Sequence, residues 1–427
     1  MQTDCSFSSS VSVPDLQKPL ASEGRIVWLD ILRFLCAIEI VGFHWMRAAT
    51  KTGAFAKHYP QNLIVRYRQL DIGLIEGVHL LQADSSSSAV HRFLVDSFGI
   101  AFGFGWEAVF AFVLLSGVSL SLSLGRRQRP PLWPSWIFKR LKRVLLPFYL
   151  VAAIVGSFMF LALAISSSSA NPAFRGIREK LVENIGSDFA GLIWSHLFLC
   201  NPHERYGTAV FLAPAWWFVP AILLAYTMFP LYMRLLNLVR TGAFLAIGAL
   251  ISIATYELLL QEHIQEFGWW FIVSNECFNF FLGIVLGRYL ATASGRIRIE
   301  RTLHSPALII CAVIVFLAGN ICNLYAITYP ISSLLFTGSL TFVGACFAKW
   351  VSKSTSIRNC LRLDPYNLYL VHQPIAFPLM VASESILGPY CILIGFIAYV
   401  PTSILVTAIF SGILDRLSAS AAEKATH

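Results

Sequence analysis

Arg33 and His44 are the residues of this sequence whose types and spacing most directly suggest chemistry. They lie in one apolar segment, and eleven steps of about 100° return to within about 20° of the starting direction, so the two side chains share a helix face. About 16 Å separates them along the helix axis, roughly half the hydrocarbon thickness of a bilayer. A guanidinium suits an anionic ligand, and an imidazole suits a general base acting on a hydroxyl. This pair is where we expect the chemistry.

Three further ionisable residues require an interpretation. Asp30 lies three residues before Arg33 on the same helix face. It either neutralises the arginine or holds its rotamer while the arginine binds an anion, and we favour the second interpretation. Glu39 projects about 120° away from the line of Arg33 and His44, so it either pairs with another helix or orients a catalytic group. His372 is either a second catalytic or substrate-contacting group or a hydrogen-bonded histidine of the bundle.

The composition indicates that the elements carrying these residues are transmembrane helices. Of 427 residues, 56% are hydrophobic and 13% are charged, whereas soluble proteins carry about 25% charged residues. The mean hydropathy is +0.66. Stretches of about 20 nearly uncharged residues are long enough to cross a bilayer as helices. We predict an all-α polytopic membrane protein whose ten helices form one bundle. The spans are 27–48, 100–124, 144–165, 214–234, 243–261, 267–290, 306–325, 331–349, 366–386 and 390–413.

The distribution of basic residues predicts the orientation of this bundle. The net charge is +9, and the arginines and lysines concentrate in the loops that follow the second, fourth, sixth and eighth spans. These loops share one side if both termini are cytoplasmic, which is the positive-inside pattern, so no nucleic-acid partner is needed. We expect a disordered cytoplasmic tail over 1–26 without a signal peptide, a transmembrane domain over 27–413, and a cytoplasmic tail over 414–427. The nine cysteines lack metal-ligand spacing, so neither a metal site nor a disulfide framework is predicted.

Five sequence motifs, in this order along the chain, resemble those of the acyltransferase 3 family of integral membrane O-acyltransferases. The resemblance spans about residues 25–413. The motifs are Leu29-Asp30-Ile-Leu-Arg33 with Phe43-His44, which meets the family's Arg-x10-His spacing; Phe112-Val-Leu-Leu-Ser116-Gly117; Arg140, Arg143, Pro147 and Tyr149; Trp217-Phe218 with Tyr226 and Pro230; and Leu368-Tyr369-Leu-Val-His372-Gln-Pro374.

The resemblance implies transfer of an acyl group, commonly acetyl, from acyl-CoA as co-substrate to a hydroxyl of a carbohydrate, glycolipid or other small acceptor, with no bound cofactor. His44 then either deprotonates the acceptor, which we favour, or carries the acyl group as an acyl-imidazole. We expect His44, Arg33 and Asp30 to be catalytic. The expected substrate-binding residues are His372, Tyr369, Glu39, Trp217, Arg140 and Arg143. A secondary transporter or flippase of a polar or lipid-linked solute is the alternative, because buried ionisable groups in a ten-helix bundle also suit a carrier.

Overall fold

The fold of this protein is all-helical wherever the structure, a computed structural model, describes it. The described residues are 26–52, 97–98, 101–103, 105–126, 131–168, 216, 218–260, 276–322, 329–354 and 363–424. The helices in these ranges are α1 (Val27–Thr52), α2 (Gly105–Gly125), α3 (Trp133–Ser168), α4 (Phe218–Leu238), α5 (Thr241–Leu260), α6 (Cys277–Leu290), α7 (Ala293–Thr302), α8 (Pro306–Cys322), α9 (Tyr329–Val351), α10 (Pro365–Leu387) and α11 (Cys391–Lys424). A short 3₁₀ turn, Gly388–Tyr390, connects the last two.

Each of the ten predicted spans coincides with one of these helices, and α7 is the additional element. The predicted sixth span starts at 267, and its first residues lie outside the described part of the chain. Helix α11 continues to Lys424, past the predicted boundary at 413, because the alanine-rich sequence beyond it still favours a helix. The proposed tails over 1–26 and 414–427 stay predictions.

Within the described ranges, length and apolar character identify five helices that are able to cross a membrane, namely α2, α3, α4, α9 and α11. The number rises to seven if two bent pairs each count as one span. One pair is α6 with α7, bent by 116°, and the other is the two halves of α10 on either side of Phe377, bent by 48°. Helices α5 and α8 contain shorter apolar stretches. The count of ten spans and the cytoplasmic location of the termini stay predictions.

Helix α2 lies at the centre of the bundle, and 67% of its apolar segment is buried. The backbones of α2 and α6 come into contact, because glycines on each helix leave room for the backbone of the other. A side chain at Gly283 would collide with the backbone of Leu114 and Val118, and one at Gly117 would collide with the backbone of Phe280. Small residues permit this close approach between membrane helices. The contact fixes the position of α2, on which part of the candidate site lies.

Helix α1 lies between α2 on one side and α10 and α11 on the other. It runs antiparallel to α2, because Phe43 fills the space above Gly105 while Arg33, near the other end, binds Ser119. On its opposite side Trp45 donates from Nε1 to the carbonyl of Ile392 at 2.8 Å. The indole also stacks on Tyr399, with ring centroids 4.8 Å apart. This packing turns the polar face of α1 into the protein rather than toward lipid.

We call the end of the bundle where α2 ends and α10 begins the basic end. Arg140 of α3 contacts Ser123 of α2 there, and Arg143 lies beside Asp364. Asp364 also starts α10, because its carboxylate accepts a hydrogen bond from the backbone N–H of Tyr366 at 3.0 Å, and Pro365 occupies the first helical position. The opposite end, which carries His44, is called the histidine end.

Candidate functional site

Arg33 is held between two helices and directed toward a cavity. Its Nη1 donates to Asp30 Oδ1 at 2.7 Å, and its Nη2 donates to Ser119 Oγ on α2. Both charged side chains are about three quarters buried, with 24% and 23% of their surface exposed. A guanidinium has five N–H donors, and these two bonds to described residues use two of them. The predicted pairing of Asp30 with Arg33 is therefore present, and donors remain for a ligand.

A cavity of about 110 Å³ lies against Arg33 between α1, α2, α3, α4 and α10. Asp364 and Tyr366 line it toward the basic end, and Tyr369 and Phe218 line it further inward. Its other lining residues are Phe112, Leu115, Ser116, Val144, Ile222 and Pro365. Sites for drug-sized ligands enclose about 300–1,000 Å³. This cavity is therefore smaller than the sites that enclose a whole ligand of that size.

Two histidines meet beyond the inner end of this cavity. His372 on α10 is fully buried, and its Nε2 lies 3.3 Å from His44 Nδ1. The ring centroids are 5.0 Å apart, with an interplanar angle of 62°. His44 Nδ1 also lies 2.9 Å from the carbonyl oxygen of Ile40. The ring of Tyr369, which lines the cavity, has its centroid 5.8 Å from that of His372. Tyr369 thus connects the cavity with the histidine pair.

Arg140 and Arg143 lie at the basic end, near the outer part of the cavity. Arg140 donates from Nη2 to Ser123 Oγ at 2.9 Å, and its guanidinium carbon lies 5.3 Å from the ring centroid of Trp136. Arg143 is 71% exposed and lies 3.8 Å from Asp364 Oδ2. An exposed ion pair at this distance contributes little to stability. Arg143 therefore places positive charge beside Asp364, which lines the cavity, and Arg140 lies three residues before it on α3.

The remaining residues expected in the site have a less direct relation to it. Glu39 is half-buried on α1. Trp217 lies outside the described residues. Its neighbour Trp216 is buried and donates from Nε1 to the carbonyl of Leu370 at 3.1 Å, which ties the start of α4 to α10. Close to this bond, the rings of Phe218 and Tyr369 contact each other edge to face with centroids 5.6 Å apart, and both residues line the cavity.

Sequence reasoning did not assign three serines of α2 to the site, although Ser116 belongs to one of the five motifs. Ser116 lines the cavity, Ser119 binds Arg33, and Ser123 binds Arg140. Their spacing of three and then four residues places them on one helix face, which is the signal that identifies them. Ser119 also donates to the carbonyl of Leu115 at 2.5 Å, as hydroxyls in membrane helices commonly do. The serine face therefore turns toward the basic residues of α1 and α3.

Among the described residues, no group of three or more histidine, cysteine, aspartate or glutamate side chains is arranged to hold a metal ion. Comparison with known protein families assigns the chain. The family model described as an acyltransferase domain, that of the acyltransferase 3 family, matches residues 26–416, nearly the whole chain. Comparisons with curated proteins and with solved structures found no match. The chain belongs to the acyltransferase 3 family and is a multi-pass integral membrane acyltransferase.

Proposed function

We propose that this enzyme transfers an acyl group, most simply acetyl, from acyl-CoA to a hydroxyl of a carbohydrate, glycolipid or other small acceptor, with His44 as the general base. One observation supports the proposal above all others. The basic end, Arg33, the cavity, Tyr369 and the histidine pair follow one another along the bundle. This arrangement suits a reaction in which an anionic donor approaches from one end and an acceptor from the other.

The donor half of the proposal uses the arginines. The phosphates of acyl-CoA would contact Arg140 and Arg143 at the basic end, because a guanidinium binds phosphate with paired N–H donors. The narrow thioester arm would extend into the cavity past Arg33, whose remaining N–H groups would bind polar atoms of the donor. Asp30 and Ser119 fix the rotamer of Arg33, which limits the entropy lost when the donor binds.

The chemical step needs a base beside the acceptor hydroxyl. His44 takes the hydroxyl proton while the oxygen attacks the thioester carbonyl. The carbon–sulfur bond then breaks, the thiolate of CoA takes the proton from the imidazolium, and the acceptor leaves as an ester. Atoms and charges balance without another reactant. The apolar residues around the cavity would keep water from the thioester during this step.

The location of the acceptor follows from the proposed topology. If ten spans place the basic end in the cytoplasm, as the positive-inside rule favours, His44 lies near the opposite face of the membrane. Acyl-CoA and the acceptor would then approach the same histidine from opposite sides. A hydroxyl of a lipid-linked or extracytoplasmic sugar fits this geometry.

Label transfer from radioactive acetyl-CoA in membranes tests the proposal. Wild-type protein should transfer label to an acceptor, whereas His44→Ala at matched expression should not. His304→Ala is the matched control, because His304 is an exposed histidine whose Nδ1 lies 2.7 Å from the carbonyl of Glu300, outside the site. Transfer by His44→Ala at the wild-type rate would refute the assignment of His44. Label retained on wild-type protein without acceptor, and lost in His44→Ala, would indicate an acyl-histidine relay instead.

A further inference from the structure

The hydrogen bonds around the two histidines determine which ring nitrogen of each carries the proton. A carbonyl oxygen only accepts hydrogen bonds, and the Nδ1 atom of each ring lies next to the carbonyl four residues earlier. The distances are 2.9 Å from His44 Nδ1 to Ile40 and 3.2 Å from His372 Nδ1 to Leu368. Both rings therefore carry the proton on Nδ1 when neutral. The opposite tautomers would direct two nitrogen lone pairs at carbonyl oxygens.

This assignment gives the contact between the rings a direction. Because Nδ1 of His372 is the protonated nitrogen, its Nε2 has a lone pair, and that atom lies 3.3 Å from His44 Nδ1. His44 Nδ1–H thus donates to both Ile40 and His372. The lone pair of neutral His44 is then on Nε2, the nitrogen that does not contact His372. The general base of the proposed reaction is therefore a specific atom.

We propose that His372 is a positioning residue that fixes the ring and tautomer of His44, so that Nε2 of His44 takes the proton of the acceptor. This inference rests on the proposed function of His44. When Nε2 of His44 gains the proton, Nδ1–H keeps both acceptors, so His372 stabilises the imidazolium without receiving the proton. A carboxylate plays the same part in the catalytic triad of serine proteases. His372 is itself held in place, because the Tyr399 hydroxyl donates to its carbonyl at 3.0 Å.

Two substitutions of His372 separate positioning from packing. In His372→Gln the side-chain oxygen reaches about as far as Nε2 and can accept from His44, whereas His372→Leu fills the space without an acceptor. For His372→Leu we expect kcat to fall about 10- to 100-fold with little change in the KM of acyl-CoA, since hydrogen bonds to charged groups have that strength. For His372→Gln we expect most of the kcat to return.

Asn367→Ala is the matched control, because Asn367 is a buried residue of the same helix that donates to Ser411 at 2.9 Å, away from both rings. It should keep its kcat per folded molecule. Equal loss in His372→Gln and His372→Leu with a normal Asn367→Ala would overturn the inference, and so would full activity of His372→Leu. If His44→Ala retained transfer, the proposed function would fail instead.

Nitrogen-15 NMR of histidine-labelled wild-type enzyme provides a measurement that does not require the His372→Leu variant to fold. Wild-type His44 should show a protonated Nδ1 and an unprotonated Nε2. A wild-type His44 protonated on Nε2 instead would overturn the inference even if the variants had lost activity.

Discussion

Replacement of Arg33 by lysine should weaken binding of the acyl donor while leaving the charge in place. The guanidinium holds Asp30 through Nη1 and Ser119 through Nη2, and its other N–H groups remain for a ligand in the cavity. An ammonium is a compact charge that cannot keep a planar set of bonds in several directions. Arg33→Lys can retain the contact with Asp30, but it loses the bond to Ser119 and the paired donors toward the cavity.

The magnitude follows from the number of bonds that are lost. A hydrogen bond between a charged group and its partner is worth about 1.5–3 kcal/mol, and about 1.4 kcal/mol corresponds to a factor of ten in an equilibrium constant. Loss of one donor contact in Arg33→Lys should raise the KM for acyl-CoA about tenfold or more. Arg33→Ala should raise the KM further, and it also removes the cation that contacts Asp30 Oδ1. The double variant Asp30→Asn/Arg33→Ala removes that second effect.

Initial rates at a series of acyl-CoA concentrations, measured in membranes with matched amounts of enzyme, give the KM and kcat of each variant. Arg288→Lys is the matched control, because Arg288 is an exposed arginine of the basic end that bonds to Asn237 at 2.9 Å and does not line the cavity. It should behave as wild type. An unchanged KM for acyl-CoA in both Arg33→Lys and Arg33→Ala would refute the reasoning, and a lower kcat alone would indicate a role in packing or in the chemical step.

Two further predictions concern the elements that support the site, and thermal unfolding in detergent checks both. Gly283→Ala should destabilise the protein by about 1–3 kcal/mol, because the added methyl group collides with the backbone of Leu114. Gly412→Ala should not, because among the described residues no atom outside the local helix backbone lies within 4 Å of the new carbon. Equal melting of the two variants would contradict the close contact of α2 and α6. Asp364→Ala should lower the free energy of unfolding by about 1 kcal/mol, because α10 loses its N-terminal cap. Asp364→Asn keeps the cap and should melt near the wild-type temperature. An equal loss of stability in Asp364→Asn would show that the charge matters more than the cap.

The positions of the helices could be predicted from the sequence because their signal is local. An apolar run of about 20 residues identifies a membrane helix wherever it packs. That Arg33 and His44 share one helix face follows in the same way from helix periodicity. The bend after α6 is harder to predict from the sequence, since the short helix α7 is polar and lies between two apolar runs.

The partners of the site residues could not be predicted, because they depend on which helices pack together. Periodicity places Arg33 on a face of α1, but it does not say that the face meets Ser119 of α2. It leaves His372 equally suited to substrate or to packing, and the contact with His44 brings together residues 328 positions apart. Asp30 was within reach of sequence reasoning, because its partner lies one helical turn away.

The distance in sequence between His44 and His372 also affects how the enzyme matures. His44 precedes His372 by 328 residues, so the pair cannot form until α10 has been synthesised. A partly synthesised chain can carry Arg33 and Ser119 while α10, with His372, is still missing. On the proposed mechanism such a chain lacks a correctly held base. On the proposed mechanism, full activity toward the thioester is therefore delayed until α10 joins the bundle.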